Sequence, residues 1–423
     1  MKNKSVNKFM NKNAINFKNW LENYELLREF DKDLFKDVPY RCISHEKIAE
    51  LLNNQLKRYE DNESLSANKR EPFKKGGELP QISKGNLIKI KVDDSIVNVE
   101  EFARLITTPP KTIFDEGEKS IHSNELDKNS HTVNTGLSAL RSIIYSETDN
   151  KFYSINTCPG AGSCVIDCYA LKGFYISTDG KNLKLIQRVN YLMNHPEKYQ
   201  KQALDELLAV ASVVVPNNKT LNIRWNDAGD FFSDVYLNIA INVTKKLKSI
   251  HISDTDLNDD FLKIHNYKPK KTTTFGDKIH SYAYTKMHKR YEIGEKHGMT
   301  MNFSIEAKPS EIEKFGEKLE KTKLSIIVPR EVFSGIFEKP KRDVPPIFKS
   351  NMNYNDLKNI IWEWIKRENI DKKYKISKQS LLFTKDLIGK KGKPKEFNVI
   401  TLQKDSDIGA QRKDVKINFL LEH

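Results

Sequence analysis

The chain has 423 residues, with 71 lysines and arginines against 57 aspartates and glutamates, a net charge of +14 and a hydrophobic content of 38%. That length can bury a sizeable core and suggests two or three domains, and no run of about eighteen apolar residues is present to span a bilayer. The N-terminus, Met1-Lys2-Asn3-Lys4, leads into polar sequence rather than an apolar signal core, so the expectation is a cytoplasmic protein with reduced thiols and no membrane partner. The positive balance points to a polyanionic partner, nucleic acid first. Lysine and asparagine enrichment from an AT-rich genome accounts for it equally well, because net charge licenses only non-specific attraction.

Residues 1–131 read as a mostly helical region. Phe17, Trp20, Leu21, Tyr24, Leu26 and Leu27 fit an amphipathic helix over Phe17–Asp31, and Ile48, Leu51, Leu52 and Leu56 fit a second over His45–Tyr59. Residues 61–85 lack periodicity and read as a linker. Alternating apolar residues over Asn86–Val99 predict a small hairpin about Asp93-Asp94-Ser95. Pro109-Pro110 breaks the chain, and the polar stretch Asp115–Ser130 marks a boundary.

From His131 the pattern changes to short strands alternating with helices. Strands are predicted at Lys151–Asn156, Thr220–Trp225, Ser281–Thr285, Met301–Ile305 and Leu324–Val328. Helices are predicted within Leu183–Val215, interrupted near His195-Pro196, and at Val235–Leu247, Lys286–His297 and Ser310–Glu320, the last capped by Ser310. This alternation predicts an α/β fold with parallel strands and right-handed crossovers, either a partial (β/α) barrel or an open parallel sheet. Both architectures bind ligands at the carboxyl ends of strands.

The expected division is therefore a mostly helical N-terminal region with a small hairpin (1–131), an α/β core carrying the cysteines (132–330), and a C-terminal extension completing or covering that core (331–423). Ser249–Lys278 is a polar excursion. Ile360-Ile361-Trp362-Glu363-Trp364 reads as a helix whose tryptophans pack in the core, and Lys390-Lys391-Gly392-Lys393-Pro394-Lys395 as a solvated loop able to grip phosphates.

Three of the four cysteines, Cys158, Cys164 and Cys168, fall within eleven positions. Thiolates are soft donors suited to zinc, copper(I) or iron–sulfur clusters, and Gly160, Ala161, Gly162 and Ser163 let the loop curl so that its sulfurs converge. Three thiolates leave a tetrahedral centre one protein ligand short. Structural zinc would recruit Cys42 or a histidine such as His131, His195 or His251, whereas an iron–sulfur cluster with one open iron needs no fourth side chain. No second Cys or His pair with finger-like spacing follows, which favours the cluster; zinc stays open.

Cys158 to Ala170, then Arg188 and Asn190, then Arg224-Trp225-Asn226-Asp227-Ala228-Gly229-Asp230-Phe231-Phe232-Ser233, then Tyr282-Ala283-Tyr284-Thr285-Lys286, resemble the phage gene product 88 family. The order of motifs is also similar to the radical S-adenosylmethionine superfamily. There the cysteine spacing is three then two residues with an aromatic before the last cysteine; here it is five then three, and Tyr169 follows Cys168.

The resemblance implies a 4Fe-4S cluster held by Cys158, Cys164 and Cys168, with its fourth iron open to the amino and carboxylate groups of S-adenosylmethionine. One electron from an external donor would cleave the sulfonium and yield a deoxyadenosyl radical. Asp227-Ala228-Gly229-Asp230 occupies the place of the loop that binds the cofactor's amino group, with Gly229 allowing close approach and Asp230 offering a carboxylate. Arg224 is expected to pair with a carboxylate or phosphate, and Ser304 and Glu306 to line the pocket.

For Ser233 a helix cap is the preferred reading, for Tyr282 and Tyr284 sheet packing, and Arg188 is open between a site role and a surface ion pair. Asp405–Asp414 resembles the family's closing motif. The resulting expectation is an iron–sulfur enzyme modifying nucleic acid or a nucleotide, in the host cytoplasm if phage-encoded. The alternative is a phage or plasmid nucleic-acid-binding protein with structural zinc and no catalysis. A hydrolase using Asp227 and Asp230 with a divalent ion is a third, weaker reading, since two aspartates alone do not make a two-metal site.

Overall fold

The computed structural model describes residues 38, 40–61, 98–165, 168, 170, 181–251, 274–329, 332, 353–402 and 407–421. In chain order these form β1 (Tyr40–Ile43), α1 (His45–Asp61), α2 (Val99–Thr107), α3 (Glu118–Leu126), β2 (Ser130–Asn134), β3 (Arg141–Ser146), β4 (Lys151–Asn156), α4 (Lys181–Asn194), α5 (Pro196–Val214), β5 (Thr220–Trp225) and α6 (Asp234–Ser249). They continue with β6 (Ile279–Thr285), α7 (His288–Lys296), β7 (Thr300–Ser304), α8 (Pro309–Glu313), β8 (Leu324–Val328), α9 (Tyr354–Arg367), α10 (Ile370–Tyr374), β9 (Leu381–Phe383), α11 (Thr384–Leu387), β10 (Phe397–Thr401), α12 (Ile408–Gln411) and β11 (Val415–Leu421). The helix expected over Phe17–Asp31 lies outside the described residues, as does the hairpin over Asn86–Val99 up to residue 97. Asn98 instead caps α2, its Oδ1 accepting from the Glu101 amide at 2.6 Å.

Eight strands form one open sheet in the order β2-β5-β6-β7-β8-β11-β10-β9, every neighbouring pair parallel. The fold is thus α/β with an open parallel sheet. β1, β4 and β3 make a separate antiparallel sheet. Its core joins Ile143 and Phe152 to Ile48 and Leu52 of α1, Phe102 and Ile106 of α2, and Ile186 of α4.

Two sequence readings are corrected. Lys151–Asn156 is a strand, but it belongs to the antiparallel sheet; the first parallel strand is Ser130–Asn134, whose single apolar residue, Val133, gave no periodic signal. Ser310 does not cap its helix: Pro309 occupies the first turn, Lys308 precedes it without a side-chain cap, and the helix gives way to a 3-10 turn at Gly316–Lys321.

The parallel strands alternate because their two faces differ. Leu221, Ile223 and Trp225 of β5, Met301 and Phe303 of β7, Leu324 and Ile326 of β8, and Ile417 and Phe419 of β11 are buried in the main core, together with α5, α6 and α9. Each such side chain contributes roughly 1.5–3 kcal/mol on burial.

The opposite face is polar and is covered by α12. Gln411 Nε2 donates to Thr132 Oγ1 at 3.0 Å and Gln411 Oε1 accepts from Asn222 Nδ2 at 3.0 Å. Asn302 Nδ2 donates to the Ala410 carbonyl at 3.1 Å, and Asn418 Nδ2 to Asn302 Oδ1 at 3.1 Å. The buried Nζ of Lys323 donates to the carbonyls of Gly409, Ala410 and Arg412 at the end of α12, and burial lowers its pKa to about 7. Among the described residues no helix is long and apolar enough to cross a membrane.

Candidate functional site

Three loops meet at the carboxyl ends of the parallel strands: Thr135–Leu140 after β2, the cysteine loop after β4, and Asn226–Ser233 after β5. Backbone hydrogen bonds lace them together. Asp227 N donates to Thr135 O at 2.7 Å, Leu137 N to Ala228 O at 2.9 Å, and Asp230 N to Thr157 O at 2.9 Å. Gly136 is held against this lace, since a Cβ there would meet Ala228 N at 2.9 Å. Gly229 adopts φ +79 beside Leu137, a left-handed conformation that glycine takes without strain.

The cysteine loop is pressed onto the ends of β6 and β7. Ala161 bridges Ala307, Lys308 N donates to Gly160 O at 2.9 Å, and Lys308 Nζ reaches Pro159 O at 2.6 Å. A Cβ on Gly160 would sit 2.8 Å from the carbonyl carbon of Lys286, and one on Gly162 would sit 2.8 Å from the Ala307 backbone. Small residues are therefore required here for close backbone approach to the neighbouring loops.

Cys158, Cys164, Lys286, Asp230 and Glu306 form one electrostatic cluster. Burial pushes the Cys158 thiol well above its ordinary range and the Asp230 carboxylate adds to that, against the Leu140 N–H that donates to its Sγ at 3.4 Å. Burial also raises Cys164, opposed by the Lys286 ammonium. Cys168 acts electrostatically on Cys158.

Burial alone would discharge Lys286, yet Cys164, Asp230, Cys158 and Glu306 hold it charged, above the ordinary lysine range. With both thiols protonated at neutral pH, the two carboxylates are the partners that matter. Asp230 is fully engaged at its base: Oδ1 accepts from Phe231 N at 2.6 Å and Oδ2 from Lys286 N at 2.8 Å. Glu306, raised by burial, accepts from Ile327 N and from Ser304 Oγ, both at 2.7 Å.

The remaining predicted residues are spent internally. Arg224 is 2% exposed, with Nη1 3.1 Å from Asp227 Oδ1 and 2.6 Å from Asp407 Oδ2. Tyr282 and Tyr284 donate their hydroxyls to the same Asp407 carboxylate at 3.1 and 3.3 Å. Asp227 and Asp230 thus face different partners. Ser304 serves Glu306, and Ser233 caps α6 by accepting from Tyr236 N at 3.1 Å. Arg188 is buried, paired with Asp115 and donating to Gly136 O, so it braces the loop after β2.

Of the zinc alternatives, Cys42 is exposed on β1, while His131 pairs with Glu116 at 3.0 Å and His195 with Glu147 at 3.1 Å. Among the described residues no group of three or more His, Cys, Asp and Glu side chains is arranged to hold a metal ion. The sequence reading did not anticipate Asp407 as the anchor of Arg224, nor the placement of Lys286 among the thiols. Lys286 directly follows a strand, which is the signal that marks it.

No curated protein matches the chain, and neither does any solved structure. The segment that carries the cysteine loop, Arg188 and the Asn226–Ser233 loop does have a counterpart: residues 118–256 match the phage family model described as Gene product 88.

Proposed function

We propose that the chain is an iron–sulfur enzyme of the radical S-adenosylmethionine kind, acting on a nucleic acid or a nucleotide in a reducing cytoplasm, with an external electron donor. The observation that supports this reading best is the placement of the cysteine loop. It lies between the first and second parallel strands in chain order, against the carboxyl ends where open α/β sheets bind ligands, and beside groups from the loops after β5, β6 and β7.

Three thiols, from Cys158, Cys164 and Cys168, are the soft ligands that such a cluster would take, although among the described residues they are not gathered into a metal-binding group. Such a cluster, when bound, supplies one-electron reduction of a sulfonium. The chain's own residues have separate tasks. Lys286 offsets the negative charge that accumulates as the thiols lose their protons, and because burial keeps Cys158 and Cys164 protonated, loading releases protons and improves as pH rises. Asp230 ties the cysteine loop to Lys286 through backbone amides. Arg224 fixes Asp227 and is assigned a positioning role. The net charge of +14 favours a polyanionic substrate.

Anaerobic purification followed by iron, sulfide and zinc analysis tests the reading, with a Cys158/Cys164/Cys168→Ala triple variant alongside. The expected result is a brown protein with about four irons per chain, colour and iron both lost in the variant. A colourless protein with about one zinc per chain would replace it with the zinc-stabilised nucleic-acid-binding protein, and a protein that takes up neither metal would sink both.

A further inference from the structure

We infer that Asn226 reads the base edge of a purine: its carboxamide pairs with the adenine of an S-adenosyl ligand held at the carboxyl ends of the strands. The inference rests on the function proposed above and adds a recognition residue to it. Asn226 is 3% exposed, and both its Nδ2 and its Oδ1 are buried with no hydrogen-bond partner among the described residues. It also holds φ at +63, the left-handed region.

Each feature is unfavourable in the protein alone. A buried amide without partners forfeits its hydration, and a left-handed backbone is disfavoured for any residue with a Cβ, least so for asparagine. Glycine would avoid both costs at this position.

The neighbours offer no structural reason for the side chain. Trp225 Nε1 donates to Ser281 at 3.1 Å, Asp227 meets Arg224, and Asp230 accepts two backbone amides. Asn226 takes part in none of these bonds, while its loop is laced to the cysteine loop through Asp230 and Thr157. A left-handed backbone and unmet hydrogen bonding at one residue of a loop that follows a parallel strand are features that cluster at binding positions. A carboxamide presents one donor beside one acceptor, and the complementary pair on adenine is its N6 amino group with N7, the arrangement asparagine recognises on bases.

The test uses the full chain, purified anaerobically, with S-adenosylhomocysteine and S-inosylhomocysteine as probes; the second lacks the N6 donor. Wild type is expected to bind the adenosyl compound about tenfold or more tightly than the inosyl one. Asn226→Gly should abolish that preference while raising the melting temperature of the unliganded protein by about 1–3 °C. Asn226→Ala, which loses both the acceptor that meets N6 and the donor that meets N7, should remove the preference as well.

An unliganded Asn226→Gly protein that melts below wild type would overturn the inference, as would a retained adenosyl preference in both variants. Iron and sulfide content separates the two levels of the argument. Wild type carrying a cluster but binding the two probes equally removes the role of Asn226 alone. Wild type with no cluster and no affinity for either probe removes the functional reading, and this inference with it.

Discussion

Replacing Gly160 with alanine tests whether the cysteine loop is seated on Lys286. The added Cβ would lie 2.8 Å from the Lys286 carbonyl carbon and 2.9 Å from its Cβ, where ordinary contact begins at 3.4 Å. Neither side yields freely: the Lys286 amide is held by Asp230 at 2.8 Å, and the Gly160 carbonyl by the Lys308 amide at 2.9 Å.

Overpacking of this kind costs about 1–3 kcal/mol, and losing the Lys308 hydrogen bond adds about 1 kcal/mol. Stiffening of the unfolded chain returns about 0.4–1 kcal/mol. The net expectation is a loss of about 1–3 kcal/mol, and the displaced loop should expose Cys158.

Gly298→Ala is the control. It has φ +84 and nothing within 4 Å of an added Cβ among the described residues, so it incurs only the left-handed backbone cost of about 1–2 kcal/mol. Urea unfolding gives the stabilities, and labelling with an aromatic disulfide under native conditions gives thiol access. Both variants lose stability, but only Gly160→Ala should label faster. Wild-type stability and protected thiols in Gly160→Ala would refute the seating of the loop.

Two further outcomes follow from the same network. Asp230→Asn removes a carboxylate that raises the Cys158 thiol, so iodoacetamide should modify Cys158 faster at pH 8 than in wild type; an unchanged rate would show that Asp230 does not act on it. The sign for stability is set by the same shift: with its folded pKa above the unfolded value of about 8.5, the thiol contributes stability that is complete below that pH and lost as pH rises toward the folded value. Cys158→Ala should flatten that alkaline decline. Asp407→Ala deprives buried Arg224 of its nearer carboxylate and the hydroxyls of Tyr282 and Tyr284 of their acceptor, and should cost about 3–5 kcal/mol in denaturant unfolding; a loss below about 1 kcal/mol would mean that Asp227 alone satisfies the guanidinium.

The middle of the central sheet, β5 to β8, was legible because apolar and polar residues alternate along its strands, whereas β2, β9, β10 and β11 were not read as strands. Thr220–Trp225 reads directly, with Leu221, Ile223 and Trp225 inward and Asn222 and Arg224 on the polar side. Parallel strands covered on both sides usually run continuously apolar; here the second cover is α12, whose carbonyls and glutamine match asparagines.

Ser130–Asn134 escaped notice because its buried residues are nearly all polar, satisfied by α3 and α12. Asn124 Oδ1, for instance, accepts from Thr132 N at 2.6 Å. The convergence of the cysteine and Asp230 loops follows from both trailing strands, although the strands belong to different sheets. Asp407 and Asn226 were illegible for a different reason. One acts across a long stretch of chain, and the other declares itself only by what it fails to bond.

The position of β11 has a consequence for assembly. It sits between β8 and β10, both of which precede it in the chain, so a fragment stopping short of residue 415 would hold two half-sheets with facing unpaired edges. Such edges invite pairing with other chains, and closing the gap demands contacts between residues far apart in sequence, which slows folding. Insertion of Val415–Leu421 is thus the step that fuses the half bearing the thiols to the half bearing α11, and a nascent chain awaiting it would be at its most aggregation-prone.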